Sequence, residues 1–345
     1  MAGADEDKKV KAIFDAFVKQ GQPGGTVIVV KDGKELYKGA FGLADIEKRA
    51  PLTTSHMFHL ASAGKQFTGV GIMMLFQEGK LKYDDPIGSY LPELEHFGPK
   101  MTIRSMLYHI SGIPEIYSDT DLNDKLLKLS PMPNNGDVIA VLATTPPERE
   151  PGLKYEYSNV GYDMLGSLIE KLSGKPFEAF MEDRIFGPVG MHDTFSLPND
   201  RRNTDSHVAH SYTRSNGKIV AFDTDPGDFT LGSGSIYTTV EDMALYDKAL
   251  NDGKLVRPAT LAEAFKPGKL NDDTSVKYGF GWELDEFNGV PCITHDGSWL
   301  AFRTAYLKFP SQKLTVVLLL NRDYDIPDDD PSGVAFSIAD VFLDY

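Results

Sequence analysis

A single cysteine, Cys292, is all the thiol this 345-residue chain has. One thiol excludes an intramolecular disulfide and a cysteine metal cluster. Its setting, the apolar run Gly289-Val-Pro-Cys-Ile-Thr294, reads as a buried structural thiol. No run approaches the ~20 apolar residues of a membrane span, and the start, MAGADEDKKVKAIF, is acidic and amphipathic where a signal peptide would be apolar. There is no Lys/Arg block, and the net charge of −15 repels nucleic acid and anionic membrane. The expectation is a soluble chain, cytoplasmic as it stands, or periplasmic or secreted if a leader has been removed. Two hydrolase signatures are also missing. Gly-x-Ser-x-Gly occurs nowhere and no alternating βα pattern is visible, against an α/β-hydrolase. No His-Glu-x-x-His accompanies the pairs His56/His59 and His207/His210, which read as local structural features. The acidic stretch Asp323–Asp330 lacks the calcium-loop pattern and reads as a solvated loop.

What is present is ordinary globular composition, 41% hydrophobic and 25% charged, enough for one large domain or two lobes sharing a core. Thr26–Val30 and Glu35–Lys38 flank an Asp-Gly turn and read as a hairpin. Near the other end Val290–Thr294, Phe302–Phe309 and Leu314–Leu320 read as three strands, joined by turns containing Gly297 or Pro310-Ser-Gln. Helical patterns flank both sets, at Lys8–Lys19 and Val334–Leu343. The simplest fold is α+β: one antiparallel sheet built from both chain ends, terminal helices packed on it, and a mostly helical lobe inserted between. The expected unit is 8–345, with lobes of 1–58 plus 266–345 and of 59–265. Within the insertion, Ser62–Glu78 is helical and ended by Gly79, and Gly161–Ser173 and Thr239–Asn251 are similar, the last capped by Thr239 or Thr238.

The first of these helices opens with Ser62-Ala-Gly-Lys65. Residues i and i+3 share a helix face, and a serine needs an adjacent base to become a nucleophile. A desolvated lysine can be that base. Alone the pattern is weak, because Ser215-Asn-Gly-Lys218 repeats it in a turn. Two further elements give it context. Tyr157-Ser-Asn159, the only Tyr-x-Asn in the chain, precedes a helix. His295-Asp-Gly297-Ser298-Trp299 follows a strand, where the glycine would let substrate approach the backbone and the Ser298 amide could serve an oxyanion.

In this order, with 95 residues from Ser62 to Tyr157 and 138 from Tyr157 to His295, the three elements resemble those of the serine β-lactamase and penicillin-binding-protein superfamily. That superfamily has Ser-x-x-Lys, then Tyr-x-Asn, then Lys-Thr-Gly or a His-x-Gly variant. Met101–Pro114 and Gly232–Thr239 look like segments of its class C branch, so the resemblance covers nearly the whole chain. It implies a β-lactamase/transpeptidase-like fold in which Ser62 forms an acyl-enzyme. Lys65 and Tyr157 would share acid/base work, and Asn159 would hold Lys65 or a substrate carbonyl. The amides of Ser62 and Ser298 would form the oxyanion hole, and His295 would stand at the third-motif lysine. Such a mechanism needs side chains, backbone donors and water, so no cofactor and no metal is implied.

The third motif departs from the pattern. A histidine largely neutral near pH 7 weakens the fixed positive charge that would hold a substrate carboxylate, and Asp296 would repel one if its side chain faced the cleft. The sequence therefore leans toward a small neutral ester or amide, as in the family's esterase branch. Tyr117, Tyr237, Phe280, Trp282 and Trp299 are candidates for an acyl pocket, most of them for the core. The alternatives are a D-amino-acid peptidase or β-lactamase of the same fold, an acyltransferase, and a non-catalytic ligand-binding relative.

Overall fold

The structure, a computed structural model, describes residues 3–345. Six strands form the main sheet: β1 (Gly25–Lys31), β2 (Lys34–Phe41), β3 (Glu283–Phe287), β4 (Val290–Trp299), β5 (Phe302–Phe309) and β6 (Leu314–Leu320). All neighbours are antiparallel, in the order β3-β4-β5-β6-β1-β2. The two chain ends meet where β1 zips onto β6, from Gly25 opposite Leu320 to Lys31 opposite Leu314. All seven residues of β6 are buried, so its unbroken Leu/Val/Thr run suits a strand covered on both faces. The expected antiparallel sheet from both chain ends is there.

Helix α1 (Ala4–Phe17) precedes the sheet. The middle of the chain supplies α2 (Lys65–Gln77), α3 (Thr120–Leu129), α4 (Asn135–Leu142), α5 (Asn159–Ser173) and α6 (Val240–Asn251), and α7 (Pro331–Asp340) follows the last strand. Alternation along the strands separates two cores. Val27, Val29, Cys292, Ala305 and Leu307 pack outward against α1 and α7. Ile28, Ile293, Phe302, Tyr306 and Leu319 face inward to the helices of the middle segment. Cys292 is buried on the outer face, and burial pushes its thiol up to about 12, the behaviour of a structural thiol.

Boundaries moved where caps decide them. The last helix starts at Pro331, three residues early, because the Asp330 side chain accepts from the amides of Ser332 and Gly333. Strand β4 does not end at Thr294 but runs on to Trp299, which stands opposite Phe302. Gly297 is therefore inside a strand and not in a turn. β3 last pairs at Thr294, opposite Glu283, so residues 295–299 extend past it with one backbone edge toward the helical side. No helix among the described residues is long and apolar enough to cross a membrane.

Candidate active site

Ser62 does not open the α-helix itself. It sits in a 3-10 turn, Ala61–Gly64, that runs directly into α2 at Lys65. Ala61 just before it has φ +51, a left-handed conformation that L residues rarely adopt. Two contacts hold that turn: the Ala61 amide donates to His59 Nδ1 at 2.9 Å, and Thr304 on β5 donates to the Leu60 carbonyl at 2.8 Å. Gly297 on β4 completes the fit. A Cβ there would stand 2.2 Å from the Leu60 carbonyl oxygen, so the missing side chain makes room for the serine turn rather than for substrate.

Lys65 is fully buried. Its Nζ lies 3.2 Å from Ser62 Oγ, 2.7 Å from Asn159 Oδ1 and 2.8 Å from the Ser233 carbonyl oxygen. No carboxylate touches it. Burial pushes its ammonium down to about 7, against the longer-range pull of Asp163, Glu115 and Asp296. Asn159 is the first residue of α5, whose cap is Ser158 accepting from the Gly161 amide. The motif thus reaches Lys65 because a helix start aims the carboxamide back at α2.

The Tyr157 ring lies 4.8 Å from Lys65 Nζ, and its buried hydroxyl has no hydrogen-bond partner. Burial holds that phenol well above its usual range, with the neighbouring Ser62 hydroxyl offsetting part of the rise. His109 fixes the segment from behind. Its Nδ1 accepts from the Ser158 amide at 3.0 Å, its carbonyl accepts from the Glu156 amide, and its ring lies 4.4 Å from that of Tyr157.

His295 is buried on the inner face. Its Nδ1 donates to the Asp296 carbonyl at 2.6 Å and its Nε2 accepts from Tyr278 Oη at 2.9 Å. Burial, reinforced by the Lys65 charge, drives it down to about 3, so it is a neutral imidazole with both nitrogens engaged. Asp296 stands opposite Ala305 in the outward-facing set. Its carboxylate is therefore on the terminal-helix side, and the condition for its repelling a substrate carboxylate in the cleft is not met.

A cavity of about 380 Å³ lies above these groups, lined by Ser62, Asn159, Ser298, Tyr117, Trp299 and Asp225 among others. Lys65, Tyr157, His295 and Gly297 sit beneath it. Of the five aromatics considered for an acyl pocket, Tyr117 and Trp299 line it, while Tyr237, Phe280 and Trp282 are core. Ser215 and Lys218 are only the paired ends of an exposed hairpin. Among the described residues no group of three or more His, Cys, Asp or Glu side chains could hold a metal ion.

Several participants carried no motif. Asp163 accepts from Tyr117 Oη and, at 3.2 Å, from the Ser233 amide whose own carbonyl holds Lys65. Glu115 accepts from the Val160 amide at 3.3 Å and leaves its other oxygen unpartnered. Burial pushes Asp163 up to about 6 and Glu115 up to about 7. Asp163 could have been found, because it lies one helical turn beyond Asn159 and so on the same face. Glu115 and Tyr278 had no such signal.

A serine and a lysine on one turn, a Tyr-x-Asn helix start and the free edge of a sheet strand define a serine hydrolase of the β-lactamase and penicillin-binding-protein fold. Residues 10–335 match the family model described as Beta-lactamase, and the chain belongs to that family. Penicillin-binding protein 4* of Bacillus subtilis (strain 168) is 29% identical over 332 residues, covering 92% of this chain and 72% of that protein. D-aminopeptidase of Cereibacter sphaeroides (strain KD131 / KCTC 12085) is 27% identical over 307 residues, 87% of this chain but only 57% of the relative. The solved octameric penicillin-binding protein homologue from Pyrococcus abyssi superimposes with a TM-score of 0.85 at 26% identity, covering 98% of this chain and 77% of that one.

Proposed function

We propose that the chain hydrolyses neutral carboxylic esters through an acyl-enzyme on Ser62. The observation that carries the mechanism is the bonding of Lys65. A neutral amine has two N–H groups and one lone pair. Asn159 Oδ1 and the Ser233 carbonyl can only accept, so they take both hydrogens and leave the lone pair for the Ser62 hydroxyl. Lys65 takes the Oγ proton as Oγ bonds to the substrate carbonyl carbon, and the resulting oxyanion is met by the amides of Ser62 and Ser298. Collapse breaks the bond to the leaving alkoxide. That oxygen is protonated by Tyr157, which is held in its phenol form and regains a proton from the Lys65 ammonium. Water then repeats the sequence on the acyl-enzyme.

The substrate half rests on charge. Among the described residues no lysine or arginine lines the cavity, and the histidine at the third-motif position is locked neutral between Tyr278 and the Asp296 carbonyl. A carboxylate beside the scissile bond therefore meets no cation there other than the buried Lys65. Asp225, the one carboxylate on the cavity wall, favours a second reading: an amide whose acyl part bears a free ammonium, as the name of the D-aminopeptidase relative suggests.

Three chromogenic substrates decide: p-nitrophenyl butyrate, D-alanine p-nitroanilide and a chromogenic cephalosporin, each with wild type and Ser62→Ala. Butyrate turnover that vanishes in the variant, with little cephalosporin turnover, is the expected result. Preference for the anilide selects the ammonium reading. Cephalosporin preference overturns the charge argument, and activity surviving Ser62→Ala overturns the mechanism.

A further inference from the structure

One wall of the catalytic cavity continues into an apolar shelf that the rest of the molecule leaves uncovered. Leu122 and Leu126 of α3 turn inward and are buried. Leu129 follows on the same stripe by helical spacing, yet it is 57% exposed because α3 ends there. Leu127 lines the cavity and is 41% exposed, Pro133 lines it too, and Met132 beside it is 53% exposed. Leu126, Leu127 and Pro133 thus form an apolar wall of the cavity that holds Ser62, with Met132 next to Pro133 in the chain, whereas Leu129, two residues on from Leu127, faces nearly the opposite side of α3. The opposite sides of α3 carry Asp121, Asp124, Lys125 and Lys128, all solvent-facing or partly so. The cavity-facing apolar residues of α3 are therefore bounded by a charged face on the far side of the helix.

The shelf is built, not floppy. Its far end is pinned by a capping box at the start of α4, where Asn134 accepts from the amides of Gly136 and Asp137 and the Asp137 side chain accepts back from Asn134. The next residue, Asn135, is buried. It donates to the carbonyls of Asp163 and Leu231 at 2.8 Å each and accepts from the Leu231 amide at 2.7 Å. Asp163 and the 231–233 segment are the groups beneath Lys65. The shelf and the catalytic base are thus held in one hydrogen-bonded frame.

We propose that this shelf is the acyl-chain subsite, and that the preferred substrates are esters of medium-length apolar carboxylic acids. The inference rests on the ester reading above and names its substrate class. The orientation follows from the proton donor. Tyr157 faces His295 and Tyr278 on the strand side, so the leaving group departs there and the acyl group is directed past Asn159 and Tyr117 onto α3. Covering Leu127, Pro133 and the adjoining Met132 removes apolar surface from water at both partners.

The test is a p-nitrophenyl ester series from acetate through butyrate and hexanoate to octanoate, with wild type, Leu127→Asp, Met132→Asp and Ser62→Ala. Leu153→Asp is the control, a more exposed leucine that lines no part of the cavity. In wild type, kcat/KM rises by roughly two- to fourfold per added CH2 while the shelf fills, mostly through KM. In Leu127→Asp and Met132→Asp the series flattens, with octanoate losing far more than acetate, and Leu153→Asp keeps the wild-type slope. A flat wild-type series with Ser62-dependent acetate turnover overturns the shelf and leaves the ester reading standing. A slope kept in both aspartate variants also overturns the shelf. Absence of Ser62-dependent turnover for every ester removes both.

Discussion

Two lysines are buried under the same sheet, and they have opposite surroundings. Lys308 on β5, 7% exposed, meets a carboxylate directly: Asp247 of α6 lies 2.6 Å away and also accepts from Tyr306 and Asn251. Lys65, fully buried, touches only neutral oxygens, while the carboxylates of Asp163, Glu115 and Asp296 act on it only from a distance. A contact ion pair with a buried carboxylate ties the side chain into the fold and makes the residue structural. Neutral acceptors with carboxylates one layer removed let desolvation win and yield an amine near neutrality, which is what a base requires. The same side chain is a brace at one end of the sheet and a candidate base at the other. What differs is where the nearest carboxylate stands.

The largest effects come from removing each lysine in turn. Lys65→Met lowers kcat/KM by roughly 100- to 10,000-fold without unfolding the protein, since no ion pair is broken. Lys308→Met leaves the catalytic cleft intact and keeps kcat/KM within a few-fold. It destabilises by about 3 kcal/mol, because Asp247 is left buried with only its two neutral donors. Ester turnover and denaturant unfolding on both variants measure this. The comparison breaks if Lys308→Met is as inactive as Lys65→Met while still folded.

A smaller effect concerns the carboxylates set back from Lys65. Under the proposed mechanism Lys65 is competent only as free amine, so kcat/KM should rise with pH through about 7, where burial has brought it. Asp163, Glu115 and Asp296 are the anions that hold this value up, while His109 and His295, both driven down by burial, stay uncharged. Asp163, at about 6, is mostly ionised at that point. Asp163→Asn removes an anion, favours the neutral amine, and moves the acid limb of the pH profile to lower pH by up to about one unit. An unmoved limb with a lower plateau would mean that Asp163 matters only for holding Ser233.

Much of this was legible in the chain. The strands at both ends were readable because Val, Ile and Leu alternate or run unbroken between turn residues, and Ser62, Lys65, Tyr157 and Asn159 because the order and separation of their motifs resemble those of the β-lactamase and penicillin-binding-protein superfamily. The rest depended on contacts between distant segments. That Gly297 yields to the Leu60 carbonyl, that Asp296 turns outward, and that Tyr278 holds His295 are consequences of register and packing, which no local pattern encodes. Glu115 lies between two apolar neighbours, Pro114 and Ile116, and nothing in that order marks a buried carboxyl.

The smallest effect expected is on stability, at Glu115. Burial pushes its carboxyl up to about 7 from the model-peptide range near 4.5. Between those values the folded state keeps a proton that the unfolded chain has released, so this group's contribution to stability is present below pH 4.5 and is lost as pH rises through 7. Glu115→Gln retains an oxygen to accept from the Val160 amide and never ionises. It should therefore match wild type at pH 4.5 and exceed it at pH 8, by at most about 3 kcal/mol and by less if Lys65 repays part of the charge. Thermal unfolding at the two pH values measures the difference. A variant equally shifted at both would mean that packing, not ionisation, sets the cost. In that case Glu115 would belong with Asp247 on the structural side of the comparison.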